Sequence, residues 1–60
     1  MTNLGYAVQA QAAENSLRAA LALLSEASSM RTKTLRRQKL EQAEDCAKAA
    51  LAHIQFAIWR

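Results

Sequence analysis

An all-α antiparallel helical hairpin is the fold this sequence predicts, and three observations predict it. Alanine is the commonest of the 60 residues, proline is absent and the one glycine is Gly5, so intrinsic propensity favours helix. Apolar residues recur in steps of three and four in both halves of the chain, with no strand-like alternation. The phase of that apolar stripe breaks near the middle. The reading is two helices, about 4–28 and 33–59, forming one domain over residues 1–60. Two such hairpins are expected to dimerise into a four-helix bundle.

In the first helix Tyr6, Ala10, Ala13, Leu17, Ala20, Leu24 and Ala27 keep heptad spacing without a miss. Thr2 or Asn3 is placed to accept a bond from the first free helical N–H groups. Gly5 inside a helix costs about 1 kcal/mol against alanine, which predicts a firm start near Tyr6. The opposite face carries Gln11, Glu14, Asn15, Arg18, Ser25 and Ser29 and is read as solvated. Glu14 precedes Arg18 by one helical turn, the better order for such a pair, worth about 0.3 kcal/mol.

Residues 28–33 contain neither glycine nor proline, so periodicity has to locate the turn. Extending the first stripe in register lands on Arg31, Thr34, Gln38, Glu41, Asp45 and Lys48, all polar. The apolar stripe resumes in another phase, as Leu40, Ala43, Ala47, Ala50, Ile54 and Ala57. One straight helix cannot present both stripes to one neighbour, whereas a turn capped by Ser29, Thr32 or Thr34 removes the conflict. With the turn centred near Arg31, residues whose numbers sum to 63 or 64 stand opposite one another. Leu24 then meets Leu40, Ala20 meets Ala43, Leu17 meets Ala47, Ala13 meets Ala50, Ala10 meets Ile54 and Tyr6 meets Ala57. Alanines along such a seam let two helices approach at the near end of the usual spacing of about 8–10 Å.

That pairing leaves apolar groups over. Ala12, Ala19, Leu23 and Met30 flank the first stripe, and Leu35, Cys46, Ala49, His53 and Phe56 flank the second. A chain this short buries only about 60% of its unfolded surface and usually needs a further stabiliser. A single cysteine excludes an internal disulfide, and one Cys with one His cannot fill a structural zinc shell. Self-association remains, with Leu23, Met30, Leu35, Cys46 and His53 as the expected dimer flank. In size and layout the chain resembles the Rop family of plasmid RNA-binding proteins, which are dimers of alanine-seamed helical hairpins. No specific motif carries that likeness, so it transfers no functional residue to a position here; it is an architectural analogy.

Charge is unevenly spread. Residues 1–30 hold Arg18 against Glu14 and Glu26, net −1, and residues 31–60 hold seven cations against three acids, net +4. Five of those cations, Arg31, Lys33, Arg36, Arg37 and Lys39, fall at the turn and in the first turns of the second helix, where the helix dipole disfavours them. The run reads either as a patch for nucleic acid or an acidic protein surface, or as a solvated tip that keeps the molecule soluble. No aromatic interleaves it, so phosphate contact would act through charge alone with little sequence specificity.

At the other end Phe56 and Trp59 lie off the seam, near Tyr6 in the antiparallel fold. Tyr6, Phe56 and Trp59 are read either as a plug closing the bundle or as a docking site for another protein, since aromatics are the anchors of interfaces. No catalytic constellation accompanies them. His53 has neither nucleophile nor orienting acid at an adjacent helical position, and Cys46 reads as a small buried apolar residue. Glu41, Glu44 and Asp45 lack the Glu-x-x-His repeat of a carboxylate metal site and read as a solvated face.

The expectation is therefore a non-enzymatic interaction protein without cofactor, metal or small-molecule substrate. It would act as a homodimer that regulates or inhibits a larger protein partner, in the manner of small phage-encoded or accessory regulators. The alternative is an RNA-binding regulator using the basic turn. With no run of about 18 apolar residues and no basic n-region with a cleavage site, the expected location is cytoplasmic, away from membranes.

Overall fold

A computed structural model describes residues 3–59 of the chain, with side chains from residue 5 onward. It is a hairpin of two helices, α1 (Asn3–Ser29) and α2 (Lys33–Trp59), each 27 residues long. The hairpin measures 49 × 14 × 9 Å. A single helix of the whole chain would extend about 90 Å, so the phase break in the apolar stripe marks a true reversal. The predicted cap at Thr2 lies outside the described residues, and Asn3 is already helical. Gly5 sits inside the helix, which therefore starts earlier than the firm start read at Tyr6. No described residue takes positive φ, so Gly5 adopts ordinary helical geometry and its propensity cost does not end the helix.

The turn spans residues 30–32 and closes without glycine; two of the last four carbonyls of α1, those of Glu26 and Ala27, are taken by other groups. The Met30 N–H donates to Ala27 O at 3.1 Å, tightening the final turn. Ser29 Oγ donates to Glu26 O at 2.9 Å, Ser28 Oγ to Leu24 O at 3.1 Å, and Arg36 Nη2 reaches back to Met30 O at 3.1 Å. Of the three candidate caps, Thr32 holds the position before α2, its carbonyl accepting the Arg36 N–H at 2.9 Å. Ser29 thus satisfies one terminal carbonyl of α1 from its own side chain.

The core is made of alanine. Among the described residues Ala13, Ala20, Ala27, Ala43 and Ala50 are the buried apolar ones, spaced seven apart on each helix. Ala13 with Ala50 and Ala20 with Ala43 are two of the pairs set by the 63-or-64 register. Two polar links bracket that register, His53 with Gln9 one position short of it and Lys39 with Glu26 one beyond it.

The two halves of each stripe separate here. The alanines are enclosed, but Leu17, Leu24, Leu40 and Ile54 keep 40% to 46% of their surface exposed. The two stripes paired by the register are therefore enclosed only along their alanine row. At alanine-to-alanine spacing the helix backbones stop the approach before a leucine about 40° round the helix can be covered.

Candidate protein-interaction surface

Positions seven apart share a face of each helix, and antiparallel pairing puts like positions of both helices on the same side of the alanine row. One side carries Ala10, Leu17 and Leu24 from α1 and Leu40, Ala47 and Ile54 from α2, every position apolar. Leu21, Leu51 and Ile58 extend it outward and are more than half exposed. Near the open end of the hairpin, Tyr6, Ala10, Ile54, Ala57 and Ile58 line a shallow apolar depression of ≈ 280 Å³, which joins both helices on this side.

The other side holds the residues expected to form the dimer flank. Leu23, Met30, Cys46 and His53 are half-buried there and Leu35 is exposed. This side is partly polar and satisfied within the hairpin. His53 Nδ1 lies 2.8 Å from Gln9 Oε1, and Lys39 Nζ lies 2.8 Å from Glu26 Oε1. Cys46 is a free thiol between them in sequence, on the same face.

The three aromatics do not form one cluster. Phe56 and Trp59 line a second shallow depression of ≈ 240 Å³ on the outer side of α2, with Ala52 and Gln55. Tyr6 belongs to the first depression instead. In the single hairpin none of the three is enclosed: Trp59 is 85% exposed, and Phe56 and Tyr6 are more than half exposed. A lone hairpin has no interior at its end wide enough to hold an indole.

At the basic turn, three of the five cations are already engaged. Arg36 caps Met30 O, Arg37 Nε meets Glu41 Oε2 at 3.4 Å and Lys39 meets Glu26. Arg31 and Lys33 make no ion pair among the described residues. The pair read between Glu14 and Arg18 is formed, at 3.4 Å on the solvent face. Among the described residues no three His, Cys, Asp or Glu side chains converge on one point. No helix described is long and apolar enough to cross a membrane.

No family model, curated protein or solved structure matches the chain. Its surface is thus the evidence that bears on function, and that surface is large. The accessible area is 4865 Å² for 6.6 kDa. A compact monomer of that mass exposes about 3,900 Å². The excess of about 1,000 Å² is of the size that one partner contributes to a stable protein interface.

Proposed function

We propose that this chain is a small non-enzymatic protein–protein interaction module, working as a homodimeric four-helix bundle that regulates or inhibits a larger partner. The observation that carries the reading is the mismatch between a core of five alanines and twelve large apolar side chains left exposed. Burying an alanine contributes little, and the transfer of a leucine or isoleucine from water is worth about 1.5–3 kcal/mol when complete. Most of the stabilisation available to this sequence therefore lies outside the isolated hairpin. The same surplus supports an interaction role over an enzymatic one, because what the fold leaves unused is apolar area rather than convergent titratable groups.

Within this reading the surfaces divide. Association of two hairpins uses apolar area beside the alanine row, and Phe56 with Trp59 on the outer side of α2 remains to anchor the larger partner, since exposed Trp and Phe are typical of interface anchors. Two experiments test the proposal together. Sedimentation at micromolar concentration should give twice the chain mass with full helicity; a well-folded monomer would overturn the dimer. Affinity capture from the native cell, run with and without nuclease, should retain a protein that is lost with Phe56→Ala plus Trp59→Ala. Capture that vanishes on nuclease treatment would replace the protein partner with a nucleic acid.

A further inference from the structure

Resting on the homodimer reading above, we infer that the second copy occupies the face formed by Leu17, Leu21, Leu24, Leu40, Leu51 and Ile54, with the two basic turns at opposite ends of the bundle. Composition selects that face, charge and packing select that orientation, and area bears on whether a second copy covers it.

On this side all six positions next to the alanine row are apolar, from Ala10 to Ile54. On the opposite side Gln9, Ser16, Lys39 and His53 interrupt the apolar positions, and the Gln9–His53 and Glu26–Lys39 links already satisfy four side chains within one hairpin. Docking a copy there would strip water from a lysine and a histidine beside the alanine row, whereas on the leucine face the charged groups Glu14, Arg37 and Glu44 stand one rank further out, level with Leu21 and Leu51.

Two separate hairpins each expose 4865 Å². A compact protein of twice the mass exposes about 6,400 Å², so a well-packed dimer would bury about 3,300 Å² in all. That lies in the range of obligate homodimers, which bury about 2,000–5,000 Å² through apolar faces.

Charge sets the orientation. Over residues 26–41 five cations face two acids, Glu26 and Glu41, for a net charge of +3. A two-fold axis along the helices would place two such ends side by side. An axis across the helices separates them by nearly the 49 Å length of the hairpin, several times the screening length of about 8 Å at physiological salt. Packing agrees with charge. With the axis across the helices, the layer of Leu24 and Leu40 falls on Ala10 and Ile54 of the second copy, and Leu17 meets its own counterpart at the centre. With the axis along them, both copies' Leu24 and Leu40 crowd into one layer while the far end holds the smaller set of two alanines and two isoleucines, Ala10 and Ile54 of each copy.

The test uses the full chain. With Cys46→Ser, a spin label on Thr34→Cys reports the separation of the turns in a dimer. Label–label distances approaching the hairpin length are expected; a distance within about 20 Å, the width of a four-helix bundle, would overturn the orientation. In parallel, Leu17→Glu plus Leu24→Glu should weaken self-association by at least about a hundredfold, and Leu23→Glu on the other side should leave it within about tenfold. If the leucine-face variant still dimerises while Leu23→Glu does not, the face is wrong and the homodimer stands. If the unmodified chain is a folded monomer, both readings fall.

Discussion

His53 Nδ1 and Gln9 Oε1 stand 2.8 Å apart and tie the two helices together towards the open end of the hairpin, as Lys39 and Glu26 tie them near the turn. An amide oxygen only accepts, so the imidazole carries a proton on Nδ1 and donates it. The pair is partly buried, and removing one partner leaves the other short of a bond in a place water reaches poorly. We expect His53→Ala to cost about 1 kcal/mol in urea unfolding. Gln9→Ala should cost less, and the double variant should fall short of the sum by about 0.5 kcal/mol or more. Additive losses would show that the bond contributes nothing.

The alanine row makes a second prediction. Ala50 is 1% exposed and Ala20 is 7% exposed, with the partner helix against each. Replacing Ala20 by leucine inserts a side chain where two backbones are already at close range, and should lower stability by about 1–3 kcal/mol. Ala22→Leu, on an exposed position of the same helix, should stay within about 0.5 kcal/mol. Thermal unfolding of the two variants checks this; equal effects would mean that helix spacing is not set by these alanines.

Both helices, a turn within residues 28–33 and the place of Ala13, Ala20, Ala43 and Ala50 on the inner faces were legible in the sequence, because each depends on periodicity and on the break in phase. What periodicity does not encode is how far apart the helices stand. Leu17 and Ala20 belong to one stripe by spacing, yet only the alanine is enclosed, since side-chain size decides which residue of the stripe becomes the contact line. The strict seven-residue recurrence of Ala13, Ala20 and Ala27 was the available signal. Gln9 carries no signal in the sequence, because a glutamine beside a seam has no pattern of its own until His53 is brought opposite. Nearness to one end groups Phe56 and Trp59 with Tyr6 in the sequence, but rotation round the helix axis sends them to the outer side of α2 and Tyr6 to the leucine side.

The basic turn predicts weak and salt-sensitive contact with nucleic acid. Arg36, Arg37 and Lys39 are committed to a carbonyl and two carboxylates, although exposed pairs of this kind exchange easily. Arg31 and Lys33 add charge without stacking aromatics. Fluorescence anisotropy with RNA or duplex DNA should give a dissociation constant no tighter than about 1 μM at physiological salt, the non-specific range. Arg31→Glu plus Lys33→Glu should abolish what binding remains at low salt while helicity is kept. Binding that is tight and changes little between about 50 and 200 mM salt would mean the turn recognises nucleic acid by more than charge.

Trp59 is the one tryptophan, and its 85% exposure makes it a direct reporter of the outer surface of α2. In the free protein its emission should be that of a hydrated indole, and it should stay so on self-association, because the leucine face lies on another side of the helix. Phe56→Ala plus Trp59→Ala should then change unfolding free energy by no more than about 0.5 kcal/mol, as expected for exposed positions. A blue-shifted emission in the dimer, or a collapse of helicity in the double variant, would make Phe56 and Trp59 part of the bundle's own core. An emission that shifts to the blue only when the larger partner is added, and a partner affinity that falls by tenfold or more in the double variant, would place the anchors of that complex on α2. The separation matters because, in the proposed dimer, one helix would serve two contacts: Leu40 and Ile54 would turn towards the second copy while Phe56 and Trp59 face away, so that a partner could be held without opening the dimer.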